Sequence, residues 1–198
     1  MALLHEATLT PTKKELLEEW LPHQPWSIKG VELTAFGSYR LDDPDGEVGL
    51  EGILLRTADG ARVLHVPLTY RGAPLAGADD HLVGTTEHSV LGTRWVYDGA
   101  ADPVFVNVLA ATAVAGKPGA EEYFEIDGEK VVREPRVRVQ GSGAPAGAYQ
   151  LGKQTNVDIS IVRELGPMRD HQSGDAILTA TWDGGSGILG VVRLAGPR

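Results

Sequence analysis

Two clusters of turn-forming residues, Asp42-Asp43-Pro44-Asp45-Gly46 and Ala58-Asp59-Gly60, constrain this chain more than any other feature. In each, aspartate side chains cap the turn and glycine frees φ, and in the first proline also fixes φ. Asp-Gly between apolar runs is a hairpin signal. The flanking runs Val31–Tyr39, Glu47–Arg56 and Arg62–Tyr70 are therefore expected to be consecutive strands of an antiparallel sheet. Ahead of them, Leu16, Leu17, Trp20 and Leu21 recur at helical spacing, with Lys13, Lys14, Glu18 and Glu19 opposite. Thr10-Pro11 can open this helix, and Thr12 with Glu15 offers a capping box one turn later. Pro22 ends it. An amphipathic helix over Thr12–Leu21 lying on a curved sheet follows.

The rest of the chain keeps the same character. Leu82–Gly84 and Thr93–Tyr97 read as short strands. Asp102 caps a second helix that Pro103 begins, with Val104, Phe105, Val108, Leu109 and Thr112 along it, and Gly116-Lys117-Pro118-Gly119 stops it. Beyond it come an Asp127-Gly128 turn, an alternating run Val131–Val139, a Gly141–Gly147 link and a strand Asp158–Arg163. A last hairpin joins Ala176–Trp182 to Ile188–Leu194 around Asp183–Gly187. Twenty-five glycines and 12 prolines favour many turns and short strands. The fold class expected is α+β: a curved antiparallel β-sheet packed on helices, with additional C-terminal β-hairpins. Residues 1–116 form one unit, and 117–198 a β-rich extension packed on the same sheet.

Composition removes several functions. With no cysteine, disulfides and thiolate metal sites are excluded. A net charge of −9 without a basic patch makes nucleic acid an unsuitable partner. No run reaches the ~18 apolar residues that span a bilayer, and acids near the N-terminus disfavour a signal peptide. A cytoplasmic location is expected.

Catalytic motifs fail one by one. Fitting a calcium loop to Asp42–Gly46 puts Leu41 and Gly52 at its first and last ligands. His5-Glu6 is followed by Leu9 where a zincin needs histidine. Arg169-Asp170-His171 lacks the order and the asparagine of a kinase catalytic loop. Gly141-Ser142-Gly143 has Ala146 in place of the third glycine, and Gly152-Lys153 stands without the rest of a phosphate loop. His65, His81 and His88 would need to converge to hold a metal, and their spacing fits no ligand set. Trp26, Trp95, Tyr97 and Trp182 could stack a sugar ring or fill the core. The candidate ligand-binding residues are Tyr70, His88, Arg94, Trp95 and Asp98. No catalytic residue, metal or cofactor is assigned.

Three segments resemble a known family. Leu21-Pro22-His23-Gln24-Pro25-Trp26, followed by Lys29-Gly30 and a strand, is similar to the opening L-P-x-Q-R-W-F-x-G-K of maltokinase N-terminal cap domains, with Pro25 and Ser27 replacing an arginine and an aromatic. Val66-Pro67-Leu68-Thr69-Tyr70-Arg71 is similar to their V-P-L-x-x-R strand. Val96-Tyr97-Asp98-Gly99 with Asp102-Pro103 is similar to their V-Y-D-A…D-P helix entry. The resemblance implies a cystatin-like cap, a curved sheet around a helix, which in that family precedes a kinase body that phosphorylates maltose for α-glucan synthesis. Gln154-Thr155-Asn156 only faintly echoes that body, so the expectation is a stand-alone, non-catalytic cap. It would act by contact with enzymes of α-glucan, maltose or trehalose metabolism, or bind a small sugar or sugar phosphate; a third reading is a divergent enzyme with its site at His65, His81 and His88.

Overall fold

A computed structural model describes residues 2–3, 8–126, 129–144, 157–166 and 175–194. The expected Asp127-Gly128 turn, the end of the Gly141–Gly147 link, Gln154–Asn156 and Arg169–His171 lie outside them. In chain order come β1 (Ala2–Leu3), β2 (Leu9–Thr10), α1 (Lys13–Trp20), β3 (Leu33–Leu41), β4 (Gly49–Thr57), β5 (Val63–Arg71), β6 (Leu82–His88), β7 (Gly92–Asp98) and α2 (Pro103–Ala115). Then follow β8 (Glu122–Ile126), β9 (Glu129–Val132), β10 (Val137–Gly141), β11 (Val157–Ile161), β12 (Glu164–Leu165), β13 (Ala176–Trp182) and β14 (Gly185–Leu194).

The main sheet has the order β2-β6-β7-β5-β4-β3 and is antiparallel throughout. Side-chain alternation gives each strand two faces. Ile53, Leu55, Val66, Leu68 and Val96 form one face and bury Leu16, Leu17 and Trp20 of α1. The start of α1 is fixed by the Thr12–Glu15 box: Thr12 accepts from the Glu15 amide, and Glu15 accepts from the Thr12 amide at 2.7 Å.

Tyr39, Leu41, Leu50 and Leu54 form the opposite face and pack on α2. That helix, PVFVNVLAATAVA, is apolar almost all round, and such a helix needs cover on more than one side. A second sheet, β10-β13-β14-β11, supplies it through Ala176, Leu178, Ala180, Leu189 and Val192. Two glycines allow the close approach. A Cβ on Gly190 would lie 2.6 Å from Leu109, and one on Gly141 would lie 2.2 Å from the Thr112 carbonyl. Gly116 ends α2 at φ 64°. The curved antiparallel α+β fold expected from the turns is the one observed.

β5 is also where β12, which follows β11 in the chain, joins the main sheet. Its Leu68–Arg71 half pairs with β7, whereas Val63 and Leu64 pair with β12 on the same side, and the His65 amide donates to the Arg163 carbonyl. Pro67, without an N–H, stands where the pairing changes partner.

Some boundaries depart from expectation. The run Val131–Val139 is two strands, because Pro135 cannot donate to a ladder. Leu82–Gly84 continues to His88, because the polar Thr85–His88 stretch pairs with β7 along its length and with β2 at Glu87 and His88. Gly52 lies opposite Tyr39 and sits beneath its ring, so a Cβ there would fall 2.2 Å from Tyr39 Cε1. Gly52→Ala should cost about 1–3 kcal/mol through overpacking. Urea unfolding would read this, and a cost near zero would mean the ring moves freely.

Candidate functional site

α1 leaves part of the sheet uncovered. Between it, the 27–32 connection and the 133–136 segment runs a groove of about 930 Å³. Leu17, Leu21, Ile28, Val31, Leu33, Ile53 and Leu55 make it largely apolar. Pro22 ends α1's course in a short turn, and Lys29 closes the connection by donating to the Pro22 carbonyl and, at 2.7 Å, to the Gln24 carbonyl.

Glu51, 4% exposed, also lines the groove. Its Oε2 is 2.6 Å from Lys13 Nζ, accepts from the Tyr70 hydroxyl at 2.7 Å, and lies 3.6 Å from Arg40 Nη2. Burial pushes the carboxyl up, but the Lys13 and Arg40 charges with the Lys13 and Tyr70 hydrogen bonds outweigh it and hold it down to about 2. A carboxylate so satisfied is a structural anion, not a proton acceptor.

Three further polar clusters tie the molecule together. Asp102 caps α2 through the Val104 amide at 3.0 Å, accepts from Thr69 at 2.7 Å, and takes both arms of Arg71 at 2.7 Å. Arg163 donates to Asp98 at 2.5 Å and stacks 4.2 Å from the Trp26 ring centroid, while Trp26 meets Trp20 edge-on at 5.6 Å. His65, fully buried, bonds Tyr39 at 2.8 Å and the Val162 carbonyl at 2.9 Å. Burial, with the Arg163 charge, brings this imidazole down to about 3 against the pull of the Val162 carbonyl.

The sequence-derived site residues do not converge. Tyr70 is engaged with Glu51, and Asp98 with Arg163 and the Ala100 amide. His88 accepts from the Val90 and Leu91 amides in the β6–β7 turn. Arg94 and Trp95 are consecutive in β7 and so face opposite sides of the sheet. Arg94 donates to the Leu91 carbonyl at 2.6 Å, and Trp95 lies opposite Arg71. The aromatics are dispersed too: Trp182 packs on Phe36, and the Tyr97 hydroxyl receives the Leu75 amide. His65 is a core residue, His81 sits exposed on a short turn, and His88 holds a hairpin. Among the described residues no group of three or more potential ligands is placed to hold a metal. No helix among them is long and apolar enough to cross a membrane.

Sequence reasoning missed the groove. The signal was present: the first long strand, β3, follows a connection and no hairpin, so one of its edges begins without a neighbour.

The main sheet thus curves over one helix beside an apolar groove, with the Glu51, Asp98 and Asp102 carboxylates held in ion pairs. Residues 20–102 match the family model of the maltokinase N-terminal cap domain. The matched span runs from the last residue of α1 to the cap of α2 and contains the whole of β3 to β7. The resemblance carried by Leu21–Trp26, Val66–Arg71 and Val96–Asp102 therefore lies inside the matched span. Comparison with curated proteins gives no match.

Proposed function

We propose that this chain is an accessory domain associated with α-glucan, maltose or trehalose metabolism, acting by contact with an enzyme of that metabolism. The observation that carries this reading is the cap-domain match over residues 20–102. It is supported by the way the charged groups within that span are engaged: Glu51, Asp98 and Asp102 all serve the fold. The sugar-binding alternative is the weaker reading, because the polar groups of Tyr70, His88, Arg94 and Asp98 are engaged within the fold and Trp95 faces away from Arg94.

The test is direct association. Sedimentation velocity of the purified chain mixed with a purified maltokinase, and separately with a trehalose synthase, should reveal a complex with one of them. Two unmixed boundaries at the highest soluble concentrations, for both enzymes, would remove the reading.

A further inference from the structure

The groove exposes backbone as well as side chains. Residues 31–38 all line it without a gap. Side chains of a strand alternate between faces, so an unbroken run can line a groove only through its edge. The ladder shows which peptide groups lie there. The His65 amide points away from β4, to Arg163, so Leu54, its partner, directs its groups toward Gly37 of β3. In the next pair along the ladder, Ala35 and Leu55, Ala35 turns its N–H and C=O outward, and Leu33 does the same. Farther along β3, Ala120 donates to the Arg40 carbonyl and covers the edge. At Leu33 and Ala35 no described strand does so.

The surroundings define what would fit. Apolar surface is exposed at Val31, 44%, and on the neighbouring β9 at Val131, 44%, and Val132, 55%. Five cationic side chains line the groove against three carboxylates, in a chain of net charge −9. Two cations have no carboxylate partner among the described residues. Lys29 lines the groove, its Nζ also donating to the Pro22 and Gln24 carbonyls, and Arg136 lies beside Gly37.

We propose that this groove docks an extended, acidic segment of a partner protein, which adds to the main sheet as a strand along Leu33–Ala35. N–H and C=O groups that no described strand pairs ask for a peptide backbone, the apolar floor for alternate apolar side chains, and the two cations for carboxylates. This rests on the accessory role proposed above and names how the partner is held.

The probe is a fluorescein-labelled synthetic heptapeptide alternating valine and glutamate, followed by fluorescence anisotropy. Its controls are a valine–lysine peptide and a valine–glutamate peptide N-methylated at its centre. The expected result is saturable binding of the first and at least tenfold weaker binding of both controls. Arg136→Glu, on an exposed side chain that the fold does not need, should weaken the first peptide about tenfold. Hydrogen exchange of the Leu33 and Ala35 amides should slow on binding. Equal binding of the acidic and basic peptides, no binding, or unchanged exchange at both amides would each overturn the proposal. So would displacement of the peptide by maltose, which would make the groove a sugar site. Concentration-dependent dimerisation abolished by Arg136→Glu would overturn it too, by making the occupant a second copy. An enzyme complex indifferent to Arg136→Glu and to the peptide would sink the groove and leave the accessory role standing. Peptide binding without any enzyme complex would do the reverse.

Discussion

Asp102→Ala should destabilise the protein by about 3–5 kcal/mol, the usual cost of breaking a buried ion pair from one side. Its side chain is wholly buried, and one carboxylate does three tasks: it caps α2, accepts from Thr69 and neutralises Arg71. Alanine leaves the Arg71 guanidinium, 19% exposed, without its partner. It also leaves the Val104 amide uncapped, itself worth about 1 kcal/mol. Burial pushes the Asp102 carboxyl up, yet the Arg71 and Thr69 hydrogen bonds and the Val104 amide bring it below its usual range. Asp102→Asn separates the contributions, since its one amide oxygen can still cap through Val104, whereas the amide nitrogen in place of Oδ2 cannot accept from Thr69. It should recover the capping part of the loss and none of the ion pair. Urea unfolding of both variants measures this. A loss below about 1 kcal/mol for alanine would mean that Arg71 finds water or another acceptor, and that the pair is not structural.

The second large effect is acid unfolding in two slopes. His65 has a folded value near 3 against 6.5 unfolded, and Glu51 one near 2 against 4.5. In both cases the unfolded chain binds the extra proton, so stability falls as pH falls. Between pH 6.5 and 4.5 only His65 adds to the slope, about 1.4 kcal/mol per pH unit. Below pH 4.5 Glu51 joins it and the two together give nearly twice that, until His65 protonates in the fold near pH 3. Several kcal/mol, a large part of an ordinary domain's stability, should be lost by pH 3. Glu51→Gln should reduce the added steepness below pH 4.5 and leave the upper slope, the remainder coming from other carboxyls held low, Asp102 among them. His65→Gln should flatten the upper slope. A stability flat from pH 7 to 5 would contradict the buried, neutral imidazole.

Local signals were legible because they rest on nearest neighbours. The Thr12–Glu15 box, the Asp102-Pro103 helix start and the turns at Asp45-Gly46 and Asp59-Gly60 each encode a short-range hydrogen bond or dihedral preference, and each produced its element. The cap resemblance was legible for the same reason, in three short segments. What was not legible depends on partners far away in the chain. Tyr70, Arg94 and Asp98 looked like ligand contacts because nothing nearby in sequence claimed them. Their partners are Glu51, the Leu91 carbonyl and Arg163, and two of these arrive only through sheet register or the C-terminal segment. His65 looked available for the same reason, and Tyr39 and Val162 occupy it. The groove is a property of where α1 stops covering β3 and β4, which no periodicity reports.

Because β5 lends one flank to two different neighbours, parting the β12 segment from the main sheet leaves one half of that flank unpaired among the described residues. Heating should accordingly melt the whole in a single transition by calorimetry. A fragment cut after α2 would carry a frayed border at Val63–His65 and a stranded imidazole at its centre, so severed halves should be far less soluble than the intact chain.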